Sequence, residues 1–270
     1  MKIKKQIGYS KEDWATSYAK FFTEGIAPIP ESVLGALSTS PYSSEALLPV
    51  AQASYLLQPG YAAVETGYCL LPDGSARVAI LTQMPEVIPV MWDWWFGWHG
   101  CQDNRYKLWH PLAHRSAKWK DGRSDLAYIG RTSMIEEYIG KNMEKASIRF
   151  VDPSELGFKS TQILDKSKVV VICARVGYTH YPLDFGWLVH QIRATESGSE
   201  MRSRFWMGGE HIQIRAKGIL PRLLSKVLQK IRPISNQQAG EILQHCAEEM
   251  NHLAAFLPQL YAEMANPETK

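Results

Sequence analysis

Asn236-Gln237-Gln238-Ala239-Gly240-Glu241-Ile242-Leu243-Gln244-His245-Cys246-Ala247-Glu248-Glu249-Met250-Asn251-His252-Leu253-Ala254-Ala255-Phe256-Leu257-Pro258-Gln259-Leu260-Tyr261 is the stretch on which the fold turns. Its apolar residues recur at helical spacing, which predicts one long helix over 236–261 with Ser235 or Asn236 as N-cap. With Ile242 set at zero on a wheel of about 100° per residue, Phe256, Leu253, Cys246, Leu257, Met250 and Leu243 define one apolar arc. Glu249 falls at about 340°, inside that arc, and His245 at about 300°, on its edge. Glu241 and Glu248 lie outside it, where solvated carboxylates belong. A carboxylate on a buried face costs several kcal/mol unless a cation or donors compensate it. A His and a Glu at i and i+4 project side by side and can hold one metal ion. The competing reading is a buried glutamate paired with an arginine, or a His–Glu hydrogen bond at the helix edge.

Upstream of this helix the pattern is mostly strand-like. Segments 61–71 and 75–82 flank Pro72-Asp73-Gly74, a hairpin turn signal. Segments 106–109, 128–139, 147–151 and 169–176 read as strands, and 186–194 and 201–206 form a hairpin across Glu196-Ser197-Gly198-Ser199. Residues 87–99, rich in Trp and Phe, read as a helix, as does 221–231. Many antiparallel strands followed by a long helix predict an α+β fold: a curved antiparallel sheet wrapped around the C-terminal helix, with a cavity between them. Residues 1–58 read as a small helical region, with Trp14, Tyr18, Phe21 and Phe22 at helical spacing and a second helical stretch at 49–56. It is too short for a good core of its own, so it is expected to dock on the main domain, 59–270, or on a second subunit.

Composition narrows the function classes. Of 270 residues, 45% are hydrophobic and 21% charged, ordinary for a globular protein, and the net charge of +3 is too small to argue for nucleic acid. Basic residues such as Lys118 and Lys120 look scattered, and no apolar run suits a signal peptide or a membrane span, so neither nucleic acid nor membrane is an expected partner. Cys69, Cys101, Cys173 and Cys246 form no CxxC pair, which favours reduced thiols in a cytoplasmic protein. The chain has no GxSxG elbow, HExxH motif or glycine-rich phosphate loop.

Further ligands for a cation must come from the strands. The stretch from Arg105 to His114 offers His110 and His114. Alternation groups Glu137 with Ile135 and Ile139, and Glu136 with Met134 and Tyr138, without choosing between the two glutamates. The cluster Trp92, Trp94, Trp95, Phe96 and Trp98 reads first as packing, and second as a wall for a planar ligand. His99, His110, His180, His211 and His252 read as structural or surface residues.

The segments Trp94-Trp95-Phe96-Gly97-Trp98-His99, Arg105-Tyr106-Lys107-Leu108-Trp109-His110-Pro111 through His114, Glu137-Tyr138-Ile139-Gly140, Arg202-Ser203-Arg204-Phe205-Trp206 and the His245/Glu249 pair occur in a distinctive order and spacing. By them the chain resembles the 2,4-diacetylphloroglucinol hydrolase and phloretin hydrolase family, from about residue 60 onward and more weakly before it. The resemblance implies a helix-grip fold, similar to the birch-pollen-allergen and START proteins, and a homodimer formed with help from the N-terminal region. It also implies zinc held by His114, Glu137, His245 and Glu249, with Tyr106 and His190 contacting the ring hydroxyls of the substrate. Two positions depart from the family: a tyrosine that binds a phenolic hydroxyl falls at Phe205, and an asparagine falls at Ala117, beside a shortened 115–125 loop.

The expected function is zinc-dependent hydrolysis of the C–C bond between a phloroglucinol-type ring and its acyl group. An acylated polyphenol is the expected partner, with the arylpropanoyl chain of phloretin favoured over the acetyl groups of diacetylphloroglucinol. Two alternatives stand beside it: a non-catalytic carrier of aromatic or lipid ligands, and a metal-dependent ester or amide hydrolase with the same ligands.

Overall fold

Two of the hairpins in the sheet are specified by their local turn chemistry. At Pro72-Asp73-Gly74 the Asp73 carboxylate accepts from the Ser75 N–H at 3.0 Å, and Gly74 takes the left-handed conformation that the turn requires (φ +84°). At the second hairpin Thr195 pairs with Gly198, leaving Glu196-Ser197 as a two-residue turn. The computed structural model describes residues 7–229 and 233–265. The ends of the expected 1–58 and 59–270 regions, and residues 230–231 of the helix expected over 221–231, lie outside the described residues.

In chain order the elements are α1 (Glu31–Thr39), β1 (Gly67–Leu70), β2 (Ala76–Pro85), α2 (Pro89–Trp98) and α3 (Asp103–Trp109). Strands β3 (His114–Trp119), β4 (Thr132–Ile139), β5 (Asn142–Val151), β6 (Val169–Tyr178), β7 (Leu183–Thr195), β8 (Gly198–Met207) and β9 (Gln213–Ile214) follow. The chain then forms α4 (Ile219–Leu228), α5 (Asn236–Ala254) and α6 (Leu257–Met264). Among the described residues the strands make one antiparallel sheet in the order β1-β2-β8-β7-β6-β5-β4-β3, with β9 paired to β7. The sheet curves around α5, so the fold is α+β with a helix-grip architecture.

The inner face of the sheet carries Val78, Ile80, Ile172, Ile192 and Met201, which share a core with Leu243, Cys246, Met250 and Leu253 of α5. Fully burying each such side chain contributes about 1.5–3 kcal/mol. The outer face is covered as well. Residues 44–57 lie across it, with Ala53 and Leu56 packed on Val171, Cys173, Val189 and Trp206. The Trp206 indole donates to the Leu48 carbonyl at 2.8 Å, and Arg202 donates to the Leu56 carbonyl at 2.8 Å. Arg202 and Arg204 both clasp Glu65 on the same face.

Several elements differ from the sequence reading. Residues 106–109 belong to helix α3, not a strand: Tyr106, Lys107, Leu108 and Trp109 are all buried, so no exposed face betrays the helical period. Lys107 is buried against Asp13 at 3.1 Å. Strand β3 and helix α1 were not anticipated. Residues 11–24 form two 3-10 turns, Asp13–Ala15 and Ala19–Phe21, and the 49–56 stretch is a kinked 3-10 segment, Val50–Leu57.

The long terminal helix is two helices. Its start is secured by a capping box, in which Ser235 Oγ accepts from the Gln238 N–H at 3.2 Å and Gln238 Oε1 accepts from the Ser235 N–H at 3.0 Å. It ends at Ala254 because Pro258, four residues on, has no N–H to give and its ring would clash with that carbonyl.

Candidate metal centre and cavity

Three elements bring ionisable side chains to one buried point. α5 contributes His245 and Glu249 one turn apart, β4 contributes Glu137, and His114 opens β3 directly across from Glu137. The β3–β4 register shifts just after that pair, between His114 and Ser116, and such a bulge re-aims the side chain beside it. Glu137 faces inward with Ile135 and Ile139 and lines the cavity, whereas Glu136 lies 3.8 Å from Arg115 and 3.9 Å from Lys145.

His114 Nε2 lies 3.4 Å from Glu137 Oε2 and 3.3 Å from Glu249 Oε2, and His245 Nε2 lies 3.7 and 3.8 Å from the same two oxygens. Ligand atoms bound tetrahedrally at about 2.0–2.1 Å from one zinc ion stand roughly 3.4 Å apart. Both Nε2 atoms are buried without a hydrogen-bond partner. His114 Nδ1 is 3.0 Å from the Tyr106 carbonyl oxygen, which can only accept. The proton therefore sits on Nδ1, and the Nε2 lone pair faces the carboxylates, as a metal-ligating imidazole requires. His114, His245 and Glu249 form a group that could hold a metal ion, with ligand atoms all within 4.8 Å of one another. Glu137 reaches both imidazoles and also accepts from the Tyr106 hydroxyl.

Electrostatics in the absence of a cation expose the strain of this arrangement. Burial pushes the Glu249 carboxyl up to about 8; His245 opposes that shift, while Glu137 and Glu248 add to it. Burial lowers the His245 imidazolium, but the facing carboxylates of Glu137, Glu249 and Glu248 outweigh it and lift the group to about 8. Burial, His245 and His110 hold His114 well below its ordinary value. Burial and the two carboxylates push the Tyr106 phenol far up, so it stays a hydrogen-bond donor.

The centre opens on a cavity of about 980 Å³ between the sheet and α5. Tyr106, Glu137, His190, His245 and Glu249 line it together, while His114 stands behind Tyr106. Phe96, Trp109, Phe150 and Phe205 wall the same space. His190 Nδ1 pairs with Ser203 Oγ at 2.7 Å, and burial lowers its imidazolium to about 3, which leaves it neutral. Of the aromatic cluster on α2, Phe96 reaches the cavity, whereas Trp92 and Trp95 are wholly buried in the core. Phe205 lies edge-on to His190, while Ala117 is buried away from the cavity lining and its N–H donates to Asp103 at 3.1 Å.

Some side chains are placed differently from the sequence reading. Glu248 is not simply solvated: it is partly buried and bonds His110 Nε2 at 3.1 Å, and His110 stacks on His245 with 5.1 Å between ring centroids. Glu241, also expected in solvent, lines the cavity. His99, His211 and His252 are buried structural residues. Ser203 was missed, although its partnership was accessible: a two-residue turn at 196–197 sets the register that puts 203 opposite 190.

Known proteins resemble this chain over most of its length. Residues 47–262 match the family model described as the DAPG hydrolase PhiG domain. The chain is 29% identical over 266 residues to the 2,4-diacetylphloroglucinol hydrolase of Pseudomonas protegens, covering 93% of this chain and 85% of that protein. It is 27% identical over 274 residues to the phloretin hydrolase of Eubacterium ramulus, covering 96% and 94% respectively. Among solved structures, Ara h 8.0201 aligns over 68% of this chain and 99% of its own at 10% identity, with a TM-score of 0.42. A family match spanning most of the sequence leads to one conclusion: the chain belongs to the DAPG hydrolase family.

Proposed function

We propose that this protein hydrolyses the C–C bond joining a phloroglucinol-type ring to its acyl substituent, with a divalent cation, zinc by preference, held by His114, Glu137, His245 and Glu249. The observation that carries this reading is the pair of buried, unpartnered imidazole nitrogens facing two buried carboxylates. A carrier without chemistry leaves those groups uncompensated, and the names of the relatives support an acylphloroglucinol substrate.

In the overall reaction the oxygen of water bonds to the acyl carbon, the ring–acyl bond breaks, and the ring carbon takes a proton, releasing a carboxylic acid and the phenol. Bound zinc supplies Lewis-acid polarisation and acidifies water. Tyr106, a phenol that stays protonated, and His190, held neutral against Ser203, bind the ring hydroxyls. By fixing them they favour the keto tautomer in which the ring carbon can leave. His190 and Glu137 are placed to carry the proton, and Phe96, Trp109 and Phe205 flank a planar ring and keep water from its faces.

Phe205 offers no phenolic donor and the cavity is roomy, so the arylpropanoyl chain of phloretin is favoured over acetyl groups. Residues 1–58 are read as the docking region of a homodimer, supported by exposed Trp14, Leu34 and Tyr55. A cytoplasmic location is supported by four free cysteines.

The decisive experiment incubates the purified protein with phloretin and, separately, with diacetylphloroglucinol, with and without a chelator. Phloroglucinol plus phloretic acid, formed only without chelator, is the expected result. Intact substrate in both tubes, or turnover indifferent to chelation, rejects the reading.

A further inference from the structure

Helix α4 turns its apolar side to solvent. Ile219, Leu220, Leu223, Leu224 and Val227 are 78, 66, 55, 47 and 56% exposed. On a wheel begun at Ile219 these five positions fill one arc of about 140°. The opposite side faces the protein: Ser225 Oγ accepts from the Ile214 N–H at 3.0 Å, and Leu228 lines the cavity. Ten residues make a rod of about 15 Å, too short to cross a membrane but suited to lie in its surface. Scattered apolar side chains need no explanation, whereas five on one ridge mark a contact.

The second observation is charge. Residues 211–240 contain Arg215, Lys217, Arg222, Lys226, Lys230 and Arg232 and neither Asp nor Glu. The rest of the chain holds 24 Lys and Arg against 27 Asp and Glu, so the positive balance of the protein resides in this segment. Lys217 and Lys226 are exposed, whereas Arg215 is held by the Tyr178 and Tyr181 carbonyls and by Asp184 at 3.4 Å. The whole-chain charge conceals this run, and with it a feature that suits a membrane-surface partner.

The third observation is position. Ile214, Leu228, Pro233 and Ile234 border the cavity, and Tyr181, 67% exposed, stands at the same end. The apolar ridge and the exposed Lys217 and Lys226 therefore lie at this end of the cavity.

We propose that α4 is a membrane-surface anchor that rests in the interface of an anionic lipid leaflet and opens the cavity onto the bilayer. The five apolar side chains enter the boundary between headgroups and acyl chains, and Lys217 and Lys226 meet the lipid phosphates. A second copy of the chain is the poorer occupant. A two-fold contact through α4 sets the same patch against itself, and here that opposes two acid-free basic segments.

The test is flotation of the full-length protein with vesicles of phosphatidylcholine alone and with vesicles that also contain phosphatidylglycerol, alongside light-scattering mass in solution. Binding to the anionic vesicles only, weakened by salt, is expected. Lys217→Gln with Lys226→Gln lowers the apparent affinity roughly thirtyfold. Leu220→Glu with Leu223→Glu abolishes binding while leaving the melting temperature and solution mass unchanged. The proposal is overturned if the wild type floats with neither vesicle, if the leucine variant binds like the wild type, or if that variant loses oligomeric mass, which assigns the ridge to a second copy.

Discussion

The Nδ1–H of His114 donates to the backbone carbonyl of Tyr106 at 3.0 Å, while the two rings lie face to face, 3.8 Å apart and 4° from parallel. One residue of α3 thereby sets both the tautomer and the tilt of the imidazole, and its own hydroxyl reaches on to Glu137. The candidate centre and the candidate ring-binding group are mechanically one unit, which gives each substitution below a specific signature.

Removing His245 or Glu249 leaves the opposing groups buried without their partner. His245→Ala and Glu249→Ala are each expected to lose bound metal, measured by elemental analysis, and to lower turnover by at least about a thousandfold. Near-normal activity in either variant rejects the metal assignment.

Tyr106→Phe keeps the stacking on His114 and removes only the hydroxyl. The variant is expected to retain its metal and its fold, while kcat falls on the order of a hundredfold for loss of one oriented donor. Loss of metal instead makes that hydroxyl a structural support of Glu137.

Stability should depend on pH differently with and without metal. Glu249 and His245 both have folded values raised to about 8, above their ordinary 4.5 and 6.5. Groups raised on folding stabilise the protein fully below the unfolded value and lose that contribution as pH rises through the folded one. The chelated protein should therefore lose melting temperature between about pH 5 and 8. A bound cation takes over compensation of the ionised Glu249, so the gap between loaded and chelated melting curves widens across the same range. A constant gap contradicts this.

Phe205→Tyr restores a phenolic donor beside His190. A new hydrogen bond to a substrate hydroxyl contributes about 1 kcal/mol, so kcat/KM for diacetylphloroglucinol relative to phloretin should rise about fivefold. An unchanged ratio means that position 205 does not read the substrate.

What could be read without the fold were the features set by local geometry. Helical period alone turned Glu249 inward and kept Ile242, Cys246 and Met250 on one face, because a helix fixes those directions within a few residues. The hairpins at 72–74 and 196–199 declared themselves through turn chemistry, but the His190–Ser203 pair follows only when the second is a two-residue turn at 196–197, as in the structure. Tertiary structure decided the rest. Alternation separates Glu136 from Glu137, but which one meets the cavity depends on the side of the sheet that α5 covers, a contact more than a hundred residues away in sequence. The helix at 103–109 was not legible because burial of Tyr106, Lys107, Leu108 and Trp109 erased the period by which helices are recognised. His110 and Glu248 look like surface groups until α3 and α5 pack together and make them partners. Secondary structure is written in neighbours; the centre is assembled from α3, β3, β4 and α5, and only their packing brings two imidazoles and two carboxylates to a single point.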